Sequence, residues 1–154
     1  MGSMTISVKE HQKQLCEKLQ SLRSDTNFVD LDLVCEDHHL HVHKVVMAAS
    51  SKFFKEELSK SVATLHSPVI LKLEDFNMKL KREAVDHIVD FIYKGEINIS
   101  ANLLSSVCEA AHNLGVHDLI DFLPAPAKKT TPPTVQESGT QIDDESFTSS
   151  SNNG

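Results

Sequence analysis

Residues 7–23 read SVKEHQKQLCEKLQSLR, without Gly or Pro, and Val8, Leu15, Leu19 and Leu22 recur at helical spacing among charged and amide side chains. The pattern predicts an amphipathic helix with Ser7 as its N-cap. A helix of this length is marginal alone in water, so its apolar stripe must dock on the chain's own core or on a second copy. After the helix breaks at Asp25, Thr26 and Asn27, the period changes to two. Val29, Leu31, Leu33 and Cys35 point one way, Asp30 and Asp32 the other, which predicts a half-buried strand over 28–35. A polar turn at 36–38 leads to Leu40 and Val42 on a second strand, so the pair is expected to form a hairpin.

Farther along, Val45 to Ala49 is a short apolar run, and Phe53, Phe54 and Leu58 follow at helical spacing. Ser50 and Ser51 suggest a new N-cap between two short helices. Residues 69–73 predict a third strand. Ala84, Val85, Ile88, Val89 and Ile92 line one face of a helix over 80–93 that closes at Gly95. An edge strand is expected at 96–99, then a helix capped by Ser100 and ending at Gly115, then a last short helix over 116–123. Beyond Pro124 the chain is rich in Pro, Ser, Thr and Gly with few aliphatics, the composition of a disordered tail. The expected organisation is a probable-tag stretch MGSM at 1–4, a domain over 5–123 and a tail over 124–154, with the class α+β.

Charge narrows the function classes. The net charge is −7 and no Lys/Arg run occurs, so the domain lacks the electrostatic footprint of a nucleic-acid or anionic-membrane binder. Three widely separated cysteines, Cys16, Cys35 and Cys108, without C-x-x-C spacing, suggest reduced thiols in an intracellular compartment. No apolar run reaches the length of a membrane span.

The segments FVDLDLVC at 28–35, LHVHKVVMAASSKFF at 40–54 and FIYKGEI at 91–97, with the closing helix pair over 103–123, together resemble the BTB/POZ domain. The family's aspartate-led strand, its aromatic-or-Leu, x, Ala-His-Lys step and its Phe-x-Tyr-Thr-Gly segment all have counterparts, with Val42 where Ala is usual and Met47 where Leu is usual. Both replacements keep apolar character. The resemblance implies a small, mainly three-stranded sheet flanked by short helices. It further implies that the first helix, through Val8, Leu15, Leu19 and Leu22, packs against a partner subunit in an intertwined homodimer. That helix places the chain with the zinc-finger and kelch-associated branches, where a charged pocket at the dimer centre would be built from Asp30 and Lys44.

The stretch DHHLHVHK at 37–44 packs four histidines into six residues. On an extended strand His39, His41 and His43 share a face, and an x-His-x-His strand can ligate zinc. A structural site needs a further Cys or His, and none stands at recognisable spacing, so no metal site and no cofactor are expected. His38, His39 and His41 are instead candidate partner-binding residues, and His43 belongs to the junction into the next helix. Cys108 and His112, four apart, could begin a nucleophilic dyad, but Cys108 lies in the apolar stripe of its helix, where a thiol is ordinarily packing. Neither a G-x-S-x-G elbow nor a phosphate-binding glycine loop occurs, and no enzymatic activity is expected. Ser67-Pro68 and Thr131-Pro132 have the form of proline-directed phosphorylation sites, a dipeptide common by chance.

Two functional classes fit. One is an interaction module of a nuclear transcription regulator that dimerises and recruits corepressor or chromatin proteins, with zinc fingers elsewhere in the parent chain; the Pro-rich stretch directly after Leu123 favours it. The other is a substrate adaptor for a cullin-type ubiquitin ligase, with a cytoplasmic location as the corresponding alternative. Adaptors often carry an apolar-x-Glu motif after the Phe-Phe helix, and here that motif aligns with Val62-Ala63-Thr64, Thr replacing Glu.

Overall fold

The computed structural model describes residues 1–60 and 68–124. Helix α1 (His11–Ser21) runs into a 3-10 turn, Leu22–Ser24, and the hairpin β1 (Leu31–Cys35) and β2 (His38–Val42) follows. Helices α2 (Lys44–Ser50) and α3 (Lys52–Lys60) precede β3 (Val69–Lys72), a second 3-10 turn at Leu73–Phe76 and the long α4 (Arg82–Lys94). A third 3-10 turn, Ala101–Leu103, then α5 (Leu104–Leu114) and α6 (His117–Ile120) close the fold. The sheet order is β2-β1-β3: β1 pairs antiparallel with β2, Leu31 opposite Val42, and parallel with β3, Leu31 opposite Val69.

The hairpin turns on Glu36 and Asp37, both at positive φ (49° and 60°), the backbone of a two-residue primed turn. Neither residue is Gly or Asn, and the turn is held from outside. The Glu36 N–H donates to Glu74 Oε1 (2.7 Å), and Glu36 Oε2 accepts from the Arg82 N–H (2.9 Å), where it caps the start of α4. The hydrogen bond from the Glu36 amide holds the Glu74 carboxyl below its ordinary range.

Phe54, Met47, Leu73, Ile88, Leu114 and Leu33 form the centre of one core beneath the sheet. Ser51 ties its two ends together: it accepts from the Phe54 N–H (3.1 Å), capping α3, and its hydroxyl donates to the Leu114 carbonyl at the end of α5. Gly95 and Gly115 both end helices in the left-handed conformation (φ 76° and 63°). A Cβ on Gly115 would stand 3.0 Å from Lys52 Cβ, whereas one on Gly95 would meet nothing within 4 Å.

Several expectations need correction. The first helix starts at His11, because Glu10 adopts a left-handed backbone (φ 64°) that cannot continue the helix toward Ser7; Ser7 caps nothing. Leu22 falls in the 3-10 turn. Strand β1 is buried at all five positions: as the central strand it has neighbours on both edges, so Asp32 is only 9% exposed. Residues 96–99 form no strand. The Ser100 hydroxyl donates to the Asn102 side chain (2.6 Å) and caps no backbone amide. The tail after Pro124, Val62-Ala63-Thr64, Ser67 and Thr131 lie outside the described residues.

Gly115→Ala is expected to destabilise the fold by about 1–3 kcal/mol, from left-handed strain plus the Lys52 contact, and Gly95→Ala by about 1 kcal/mol, from strain alone. Urea midpoints of the two variants check this ordering.

Candidate interaction surface

Helix α1 lies across α4, yet none of its residues is buried. Leu19 and Leu22 are half-buried, with Leu19 packed on the core, while Leu15 is 48% and Val8 66% exposed. The apolar stripe is thus split: its C-terminal part is covered by the chain's own core and its N-terminal part is open. Between α1 and the end of α4 runs a groove of about 610 Å³, with Cys16 and Gln20 on one wall and Ile92 and Tyr93 on the other. Phe28 and Val45 are also exposed, Phe28 ahead of β1 and Val45 on α2. Uncovered side chains of this size are what an association surface is made of.

Asp30 anchors the region from which that surface projects. Its N–H donates to the Val42 carbonyl (3.3 Å) and its carbonyl accepts from the Val69 N–H (3.0 Å), which continues both strand pairings by one residue. Asp30 Oδ1 accepts from the Lys44 backbone N–H (2.7 Å) at the first turn of α2, where negative charge meets the positive end of the helix. Asp30 thus reaches Lys44 through the Lys44 backbone amide.

The clustered histidines divide by strand register. His39 and His41 lie on the outer face of the sheet on either side of Asp32, with Nδ1 atoms 2.7 Å from Oδ2 and 3.7 Å from Oδ1. His41 is directly opposite Asp32 across the hairpin. His38 points to the other face and brings Nε2 to 3.3 Å from Asp86 Oδ1 on α4. Both His39 and His41 expose more than half of their side chains, and His38 about a third. Among the described residues no group of three or more His, Cys, Asp or Glu side chains is placed to hold a metal ion.

His43 behaves differently. It is 7% exposed, its N–H donates to the Tyr93 hydroxyl oxygen (3.0 Å), and its Nδ1 lies 2.7 Å from the same oxygen. Burial, with the Arg23 charge nearby, holds His43 below the ordinary histidine pKa against the opposing pull of Asp30; burial raises that of Tyr93. Arg23, in the turn after α1, stacks 5.0 Å from the centre of the Tyr93 ring, donates from Nε to the His41 carbonyl (3.2 Å) and approaches Asp90 of α4 (3.8 Å). Sequence reasoning passed over Arg23, Tyr93, Asp86 and Asp90. The available signal was Tyr93, the chain's single tyrosine, set on the otherwise aliphatic face of α4.

The two buried thiols, Cys35 and Cys108, stand in packing positions, whereas Cys16 is exposed. Burial and surrounding carboxylates push Cys35 up to about 11, and its S–H donates to the Leu80 carbonyl (3.3 Å). His112 Nδ1 bonds the Cys108 backbone carbonyl (2.8 Å), while the Cys108 thiol meets the Pro124 carbonyl (3.6 Å), so the pair is an intrahelical bond rather than a thiol–imidazole dyad.

Comparison with known proteins agrees with this architecture. The family model of the BTB/POZ domain matches residues 19–130. The chain is 38% identical over 109 residues to the Broad-complex core protein of Drosophila melanogaster, covering 71% of this chain and 14% of that protein. It is 30% identical over 123 residues to Kelch-like protein 25 of Rattus norvegicus, covering 78% of this chain and 20% of that one. Among solved structures, the BTB domain of human gigaxonin shares the fold with a TM-score of 0.67 at 24% identity, over 79% of this chain and 95% of that one. The BTB domain of zebrafish PATZ1 does so with 0.65 at 22%, over 78% and 93%. The chain belongs to the BTB/POZ family, a class of protein-interaction module. It spans a small fraction of the curated relatives it matches. No described helix is long and apolar enough to cross a membrane.

Asp30→Ala should cost about 1–3 kcal/mol, since it strands a helix N-terminal amide, while Asp30→Asn, which keeps an acceptor, should cost about half as much. Thermal or urea unfolding of both variants checks the prediction.

Proposed function

We propose that this domain homodimerises through the open part of the α1 stripe and serves as the recruiting module of a nuclear transcription regulator of the zinc-finger branch. The observation that carries the reading is α1 itself: an amphipathic helix with no buried residue, its Leu15 and the preceding Val8 both exposed. Burying a Leu side chain against a second copy is worth about 1.5–3 kcal/mol, and a two-fold interface gains each such contact twice. Corepressor or chromatin proteins would bind the assembled dimer, and DNA contact would fall to other parts of the parent protein, consistent with the net charge of −7. Likeness to Kelch-like protein 25 supports the second reading, a cullin-type adaptor.

The full chain should sediment near twice its 17.1 kDa mass at micromolar concentration. Leu15→Asp should shift it to monomer without lowering the unfolding temperature of the monomer unit; Leu19 is the poorer probe because it also packs on the chain's own core. A monomeric parent chain defeats the reading. Titration against a purified cullin N-terminal domain separates the two classes: no submicromolar binding is expected, and such binding would favour the adaptor.

A further inference from the structure

We propose that His43 is a proton-operated latch on the dimerisation helix, an inference that rests on the dimer reading for its consequence but on a separate set of contacts for its mechanism. The contacts form a chain from the helix to the core. Arg23 follows α1 and joins it to α4 by stacking on Tyr93 and approaching Asp90, and to β2 through the His41 carbonyl. The Tyr93 hydroxyl in turn takes its position from His43, which meets it with both N–H and Nδ1.

That arrangement accommodates a neutral imidazole. The phenolic oxygen accepts the His43 amide proton, and a neutral imidazole satisfies the second contact in either tautomer, with Nδ1 accepting from the Tyr93 O–H or donating to its oxygen. Nε2 is buried and has no hydrogen-bond partner among the described residues. An added proton gives the ring an N–H at both nitrogens: the one at Nε2 has no acceptor among the described residues, and the one at Nδ1 makes the Tyr93 oxygen an acceptor only, its own proton turned away. The new charge would also lie near the Arg23 guanidinium. The titratable and charged groups that bear on His43 are Tyr93 on α4, Arg23 after α1 and Asp30 before β1. Only Asp30 favours the charged form, and burial together with Arg23 outweighs it. In the proposed latch the buried charge is relieved by a shift of the Tyr93 ring away from His43, which would remove the platform under Arg23 and loosen the end of α1. The depressed basicity of His43 agrees with this cost.

The sign follows from linkage. A histidine held below its unfolded value resists protonation in the folded state, so stability is full above the unfolded pKa and declines as pH falls through it. Loosening of α1 should therefore grow from neutral toward about pH 5.5.

The test uses the full chain at pH 7.5 and about pH 5.5, with hydrogen exchange of the α1 amides corrected for intrinsic rates, sedimentation, and NMR titration of the His43 ring. Expected are an increase in α1 exchange and a weakening of the dimer, each about tenfold, both tracking the His43 resonance. His43→Asn, which keeps an acceptor at the Nδ1 position and does not titrate, should abolish the response. If that variant fails to fold, Tyr93→Phe should show acid-like α1 exchange already at pH 7.5 and little further change. A triple His38→Asn, His39→Asn, His41→Asn variant should respond as the parent does. Unchanged α1 protection at the lower pH, a response kept in His43→Asn, or one lost in the triple variant overturns the latch. A chain monomeric at pH 7.5 whose α1 still loosens with His43 overturns the dimer reading and leaves the latch standing.

Discussion

Asp30 is the residue on which the arrangement of the sheet and the first packed helix depends. One position contributes a donor to β2, an acceptor to β3 and a carboxylate to the first amide of α2. Each bond alone is modest, about 1 kcal/mol for the neutral pair and more for the charged one. Together they fix where the central strand begins, which edges it offers and where the chain turns into helix. The His43–Tyr93 contact sits directly behind this junction, and Arg23 extends it to α1. The open stripe of α1 is thus oriented by polar contacts at its C-terminal end.

Much of this was readable in the residues. The alternation in β1 and the two polar turn residues define the hairpin, and Gly95 and Gly115 mark the ends of α4 and α5 through the one backbone conformation that suits glycine. The serine pair between α2 and α3 pointed to the cap, which falls on Ser51. What escaped depends on tertiary neighbours. Asp32 looks solvent-facing by alternation and is covered because β1 is central. Residues 96–99 have a strand-like composition but no adjacent edge among the described residues to pair with. The bond from the Lys44 amide to Asp30 at 2.7 Å uses a backbone donor, which no side-chain pattern reveals.

The histidine stretch shows how register assigns chemistry. Consecutive residues of one strand are sorted to opposite faces, so His38 meets α4, while His39 and His41 flank Asp32. His43, one step past the strand, is buried and bonded. Four chemically identical side chains therefore occupy three environments, and only His43 contacts Tyr93, on which Arg23 stacks.

The Arg23 bond to the His41 carbonyl has a further consequence. β2 is an outer strand of the sheet, and an unpaired outer strand is a template on which other chains can add. Arg23 occupies one backbone carbonyl of this five-residue strand with a charged side chain that is also stacked on Tyr93, a feature that disfavours strand addition there. The residue that joins α1 to α4 thus also guards a strand edge, so losing Arg23 would loosen a helix contact and uncover that edge together.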